Sequence, residues 1–111
     1  MSFNGYQEPF DQVHGMVTEL FELTNEAFAQ RSKEKAKEAM DLYPNVSKLC
    51  DDTVRAVLNG ETHDGQECEV ERVHLGLVLL LRYLKRVAAH LKNLCSALVN
   101  PFHQYGFREG L

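Results

Sequence analysis

The 111-residue chain has no tryptophan, only three prolines and only three cysteines. So few prolines, and a single Asn-Gly at Asn59-Gly60, leave too few turn signals for a β-sandwich or barrel. Cys50, Cys68 and Cys95 are odd in number, far apart and without a C-x-x-C pair. Neither a disulfide framework nor a zinc knuckle fits, so three reduced thiols are expected, two of them partly buried. The chain also lacks an excess of positive charge. A formal charge of −4 and a pI near 5.7 argue against a nucleic-acid partner. No long apolar run is present: Val73 to Leu81 is interrupted at Arg82, whereas a membrane span needs ~20 residues. No direct membrane insertion is expected. Residues 1–8 lack the basic and apolar regions of a signal peptide, which makes a cytoplasmic protein the expectation.

What is present is ordinary for a folded domain: 44% hydrophobic and 25% charged residues. Length and composition predict one domain over 1–111, with a short arm at 1–7 and a tail at 101–111. Three helical patterns fill the rest, at 9–30, 33–59 and 65–99.

In the first helix, Pro9 suits the opening turn and Asp11 lies where the helix dipole favours a carboxylate. Phe10, Val13, Val17, Leu20, Thr24 and Ala27 then recur at 3–4 spacing, with Phe21 and Phe28 beside them. Ser32 is placed to cap the second helix. Its stripe of Ala36, Ala39, Met40, Tyr43, Val46, Cys50, Thr53 and Val57 runs in phase through Pro44. Proline removes one helical donor, so a kink there, or a short break, is expected. The third helix opens on Asp64-Gly-Gln-Glu67, the pattern of a capping box. Its predicted seam is Val70, Val73, Leu77, Leu80, Leu84, Val87, Leu91, Leu94 and Leu98, ending at Asn100-Pro101. Long helices with short connections fold back on each other. The expected fold is all-α, an antiparallel three-helix up-down-up bundle.

On that seam Leu75, Val78 and Leu79 fall at outer positions that should face water. Three apolar residues there predict a helix–helix interface with a second copy, most simply a two-fold homodimer. Further along, Arg82, Lys85, Arg86 and Lys92 form a polar stripe that reads either as a partner-contact surface or as a solvated face.

Candidates for chemistry are sparse. Glu71-x-x-His74 matches half of a di-iron bundle motif, and Glu19, Glu22 and Glu26 share one side of the first helix. A second reading is therefore a metal-binding bundle using Glu71 and His74. His90, at a position beside the predicted core, gives a third, a histidine phosphotransfer domain. No Ser-His-Asp arrangement or glycine-rich phosphate loop occurs. A non-enzymatic protein without catalytic residues, cofactor or metal is expected.

The run Leu80-Leu-Arg-Tyr-Leu-Lys-Arg-Val-Ala-Ala-His-Leu-Lys-Asn-Leu-Cys-Ser-Ala-Leu-Val-Asn-Pro-Phe102 resembles the last helix of a PhoU domain, typically R-x-L-E-R-I-x-D-H-x-x-N-I. Arg82, Leu84, Arg86, His90 and Asn93 match in place. The endings R-Y-L-K-R, A-H-L and N-P-F are similar to PhoU-like domains appended to sodium/phosphate cotransporters. The resemblance covers about 25 residues and implies a three-helix bundle. It also implies a regulator of phosphate uptake or signalling that contacts a transporter or a sensor kinase. PhoU domains bind metal clusters through an E(D)-x-x-x-D motif on two helices. Here the third-helix positions are Lys85 and Ala89, and the second-helix positions are Tyr43 and Ser47 or, shifted, Asp41 and Asn45. An ammonium group repels a cation, so the family's metal chemistry is not expected to carry over.

Overall fold

A computed structural model describes residues 5–60 and 72–100. They form three helices and, among the described residues, no strand: α1 (Gln7–Gln30), α2 (Lys33–Leu58) and α3 (Arg72–Val99). This is the expected all-α three-helix bundle. The arm before Gly5, the aromatic tail from Pro101, Cys68, and the Asp64 capping box lie outside the described residues, as does the predicted start of the third helix at 65–71.

The local signals act as their chemistry requires. Only Arg31 and Ser32 separate α1 from α2. Arg31 takes a left-handed conformation with φ 52°, and the Ser32 amide donates to the Ala27 carbonyl at 2.8 Å. The Ser32 hydroxyl then accepts from the Lys35 amide at 3.1 Å, capping α2. At the other end Gly60, with φ 72°, donates its amide to Val57. Pro44 does not break α2, which continues through it. The proline faces solvent, where water can reach the Met40 carbonyl that loses its donor. The first helix begins two residues before the expected Pro9, at Gln7.

Cross-helix contacts fix the topology. Lys85 meets Asp51, and Lys92 lies over the Tyr43 ring, so α2 and α3 run antiparallel. Tyr6 packs edge-on against His74 at 5.3 Å, and the Thr24 hydroxyl lies 3.3 Å from the Cys95 sulfur, so α1 and α3 run parallel. Thr24 donates its only hydroxyl hydrogen to the Leu20 carbonyl. The Cys95 thiol is therefore the donor in the second contact.

The seam of α3 differs from the expected one. Leu77 and Leu91 are buried and Leu84 is half-buried, as expected. Between them, however, His74, Leu81, Ala88 and Cys95 face the core. Val73, Leu80 and Val87 are only half-buried, and Leu94 is 50% exposed. Both rows satisfy 3–4 spacing, because they share one residue per heptad and differ by one step around the helix. The row with the larger side chains gives the stronger sequence signal. The row that packs is the one whose small Ala88 and Cys95 let the neighbouring helices come close. The same rotation turns Val78 inward, half-buried against the core, and puts His90 out in solvent rather than beside the core.

This seam has a direct consequence for stability. Leu81→Ala should cost ~2–5 kcal/mol, whereas Leu94→Ala should cost under ~1 kcal/mol. Urea unfolding of both variants checks it. Equal losses would return the seam to the leucine row.

Candidate functional site

Charge is divided among the helices. α1 carries five carboxylates and no Lys or Arg, while α3 carries Arg72, Arg82, Lys85, Arg86 and Lys92 and no acid. α2 has five of each sign. Among the described residues, the cross-helix ion pairs both involve α2. Its Lys35 reaches Glu26 of α1 at 3.8 Å, and its Asp51 accepts two hydrogen bonds from the Lys85 ammonium at 2.8 and 3.1 Å. Hydrogen bonding to Asp51 holds the Lys85 pKa above its ordinary value, so the ammonium stays charged.

Around the Lys85–Asp51 pair, α2 and α3 enclose an open groove of about 550 Å³. Arg55, Arg82 and Arg86 line it with Lys85, and Val54, Leu58 and Ala89 supply its apolar wall. Tyr43 closes one side, with the Lys92 ammonium 4.9 Å from its ring centroid. Asp51 is the only carboxylate among the lining residues, and Lys85 already engages it. Arg55 also meets Asp52 at 3.2 Å. Asp52 in turn is held below the usual carboxylate range, first by its hydrogen bond from Lys48.

The expected polar stripe is thus split by the fold. Arg82, Lys85 and Arg86 share the groove, and Lys92 stands next to it on Tyr43. Of the second-helix positions named for the family's metal motif, Tyr43 lines the groove opposite Lys85 and Ala89, while Ser47, Asp41 and Asn45 are not part of its lining. The groove's side chains do not fit a metal cluster: four cations share it with one carboxylate that Lys85 already engages, where hard cations require several free oxygens. Asp51 and Arg55 escape sequence reasoning, since only the antiparallel alignment of α2 and α3 brings them to Lys85.

The di-iron candidate is not assembled among the described residues. Glu71 lies outside the described residues, and His74 is buried against Tyr6. Among the described residues no three His, Cys, Asp or Glu side chains converge as a metal site would require. His90 and Asn93 are exposed on the outside of α3.

A second surface lies on the opposite flank of α3. Each residue turns the helix by about 100°, so the flank away from Lys85 and Lys92 is that of Leu80, Val87 and Leu94. On α1 the flank away from Glu26 carries Phe21 and Phe28. Phe21, Tyr83 and Leu94 are 57%, 62% and 50% exposed, with Phe28 also exposed nearby. An apolar band therefore runs along the α1–α3 edge. Leu75 and Leu79 are exposed too, but they stand seven residues before Arg82 and Arg86 and share that flank of α3, so the expected interface residues Leu75, Val78 and Leu79 do not belong to this band. An added Cβ at Gly76 would meet nothing within 4 Å. Phe21, Tyr83 and Leu94 join the band only once the true seam is known.

The described residues form an all-helical bundle with its charges sorted by helix. The family model of the PhoU domain matches residues 10–98, and the chain belongs to this family. The match spans all three helices and places the chain among proteins associated with regulation of phosphate transport. No curated protein and no solved structure matches it. No helix among the described residues is long and apolar enough to cross a membrane.

Cys50 lies beneath the groove, buried, with its thiol pKa pushed up to about 11 by burial first and by the Asp51 carboxylate second, against an opposing effect of Lys85. A raised folded-state pKa means that the native state holds the proton longer than the unfolded chain. The associated stability is complete below pH 9.0 and is lost as pH rises towards about 11. Urea unfolding across that window should show a loss of up to about 3 kcal/mol that Cys50→Ala largely removes. An unchanged slope in the variant would contradict the assignment.

Proposed function

We propose that this protein is a non-enzymatic regulatory module of the PhoU type. It acts in the cytoplasm and modulates phosphate uptake or phosphate signalling by contacting a transporter or a sensor kinase. The observation that carries this reading is the family match over the whole bundle, residues 10–98. The groove supports it chemically: its side chains are cationic and already hydrogen-bonded or exposed, with no nucleophile–base pair among them. In the native host, deletion of the gene should change the rate of labelled phosphate uptake in phosphate-replete cells, and the full chain supplied in trans should restore it. Unchanged uptake with normal induction of phosphate-starvation genes would overturn the reading.

The working form is a homodimer built on the α1–α3 edge. Phe21, Tyr83 and Leu94 expose apolar area that association would remove from water at a gain of roughly 25 cal/mol per Å². A two-fold axis parallel to the helices lays the α1 side of the band of one protomer over the α3 side of the other, so one strip covers its own copy. Light scattering at tens of micromolar should give a dimer, and Phe21→Glu with Leu94→Glu should give a folded monomer, because buried unpaired carboxylates are costly. A wild-type monomer, or a double variant that still dimerises, would contradict the assembly.

A further inference from the structure

The groove between α2 and α3 holds more positive charge than its surroundings account for. The chain as a whole carries −4, yet four cations and one carboxylate line this single groove. Asp51 is engaged by Lys85, and Asp52 by Lys48 and Arg55. Arg82 and Arg86 meet no carboxylate among the described residues. They are separated by one helical turn, on one face of α3, so their guanidinium groups project side by side. Like charges held that close repel each other, and an anion between them relieves the repulsion. Guanidinium forks suit one kind of anion best: a planar or tetrahedral oxyanion that accepts two parallel hydrogen bonds from each fork.

We infer that this groove is a binding site for a phosphoryl group carried on a larger ligand, with Arg82 and Arg86 as its two forks on α3 and Arg55 closing on it from α2. The Lys85–Asp51 pair has a different task. Lys85 donates two hydrogen bonds to Asp51 across the two helices, so these two charges neutralise each other. The charge left over belongs to the arginines. The lining indicates the carrier: beside the arginines, Val54, Leu58 and Ala89 offer an apolar wall that inorganic phosphate alone does not use. The ligand is therefore a diphosphate or a phosphorylated carrier. The site stands apart from the α1–α3 edge and does not depend on the regulatory reading, since binding is measured on the isolated chain.

Titration calorimetry at low salt tests it, with pyrophosphate, inorganic phosphate, and a neutral peptide carrying phosphoserine alongside its unphosphorylated form. Pyrophosphate or the phosphopeptide should bind at least about tenfold more tightly than inorganic phosphate, and the unphosphorylated peptide should not bind. Which of the two binds identifies the source of the phosphoryl group. Arg82→Gln with Arg86→Gln should weaken that binding by at least about tenfold, and rising salt should weaken it too. Both residues are exposed, so the variant is expected to fold, and a thermal melt verifies this. The control is Lys33→Gln with Lys37→Gln, two exposed residues at the far end of α2 that give the same change in net charge. The control should keep wild-type affinity. No binding by either phosphorylated probe overturns the inference, as does equal weakening in the control pair, which would reduce the effect to overall charge.

Discussion

The neutral second helix is the constraint on which the rest of the structure depends. α1 is wholly acidic in its charged residues and α3 wholly basic, and among the described residues the ion pairs across the bundle both involve α2: Glu26 with Lys35 on one side, Asp51 with Lys85 on the other. Exposed pairs of this kind contribute little stability, roughly 0–1 kcal/mol each. Their value lies in alignment. The buried row of Val13, Leu20, Val46, Val57, Leu77 and Leu81 supplies the driving force. The ion pairs choose among the ways that three amphipathic helices could slide past one another. Two outcomes follow from this arrangement. The side where α2 meets α3 collects cations, and the edge where α1 meets α3 is left apolar.

Much of this was legible in the sequence because the relevant signals are local. The Ser32 cap, the Asn59-Gly60 ending, and the 3–4 spacing of apolar residues each act within one or two turns of helix. The fold class follows from them. Resemblance of the last helix to PhoU also rested on residues close together in the chain, and the family match extends it over 10–98. The choice between adjacent rows on α3 was not legible. A helix that is apolar over most of its circumference offers two seams of equal spacing. Volume-weighted reading prefers Leu80 and Leu94, whereas close packing prefers Ala88 and Cys95. That single step of rotation accounts for Val78 lying inward, His90 lying outward, and Phe21, Tyr83 and Leu94 being missed as a surface.

The groove was legible only in part. Arg82, Lys85 and Arg86 stand out as a basic run in one helix. Their meaning depends on Asp51, Arg55 and Tyr43, which come from the preceding helix and reach them only through the antiparallel alignment. Without Asp51, Lys85 reads simply as a lysine where a metal ligand is absent. With it, Lys85 is paired across the two helices, and the arginines become the groups left with charge to offer.

The proposed dimer keeps the two surfaces apart: copies of the chain would meet on the apolar α1–α3 edge, leaving the cationic α2–α3 groove open. Intermolecular nuclear Overhauser effects in a mixture of labelled and unlabelled chains test it most directly. Cross-chain contacts are expected among Phe21, Tyr83 and Leu94, with none to Val54, Leu58 or Ala89. Contacts at the groove residues, or no cross-chain contacts at all, would contradict it.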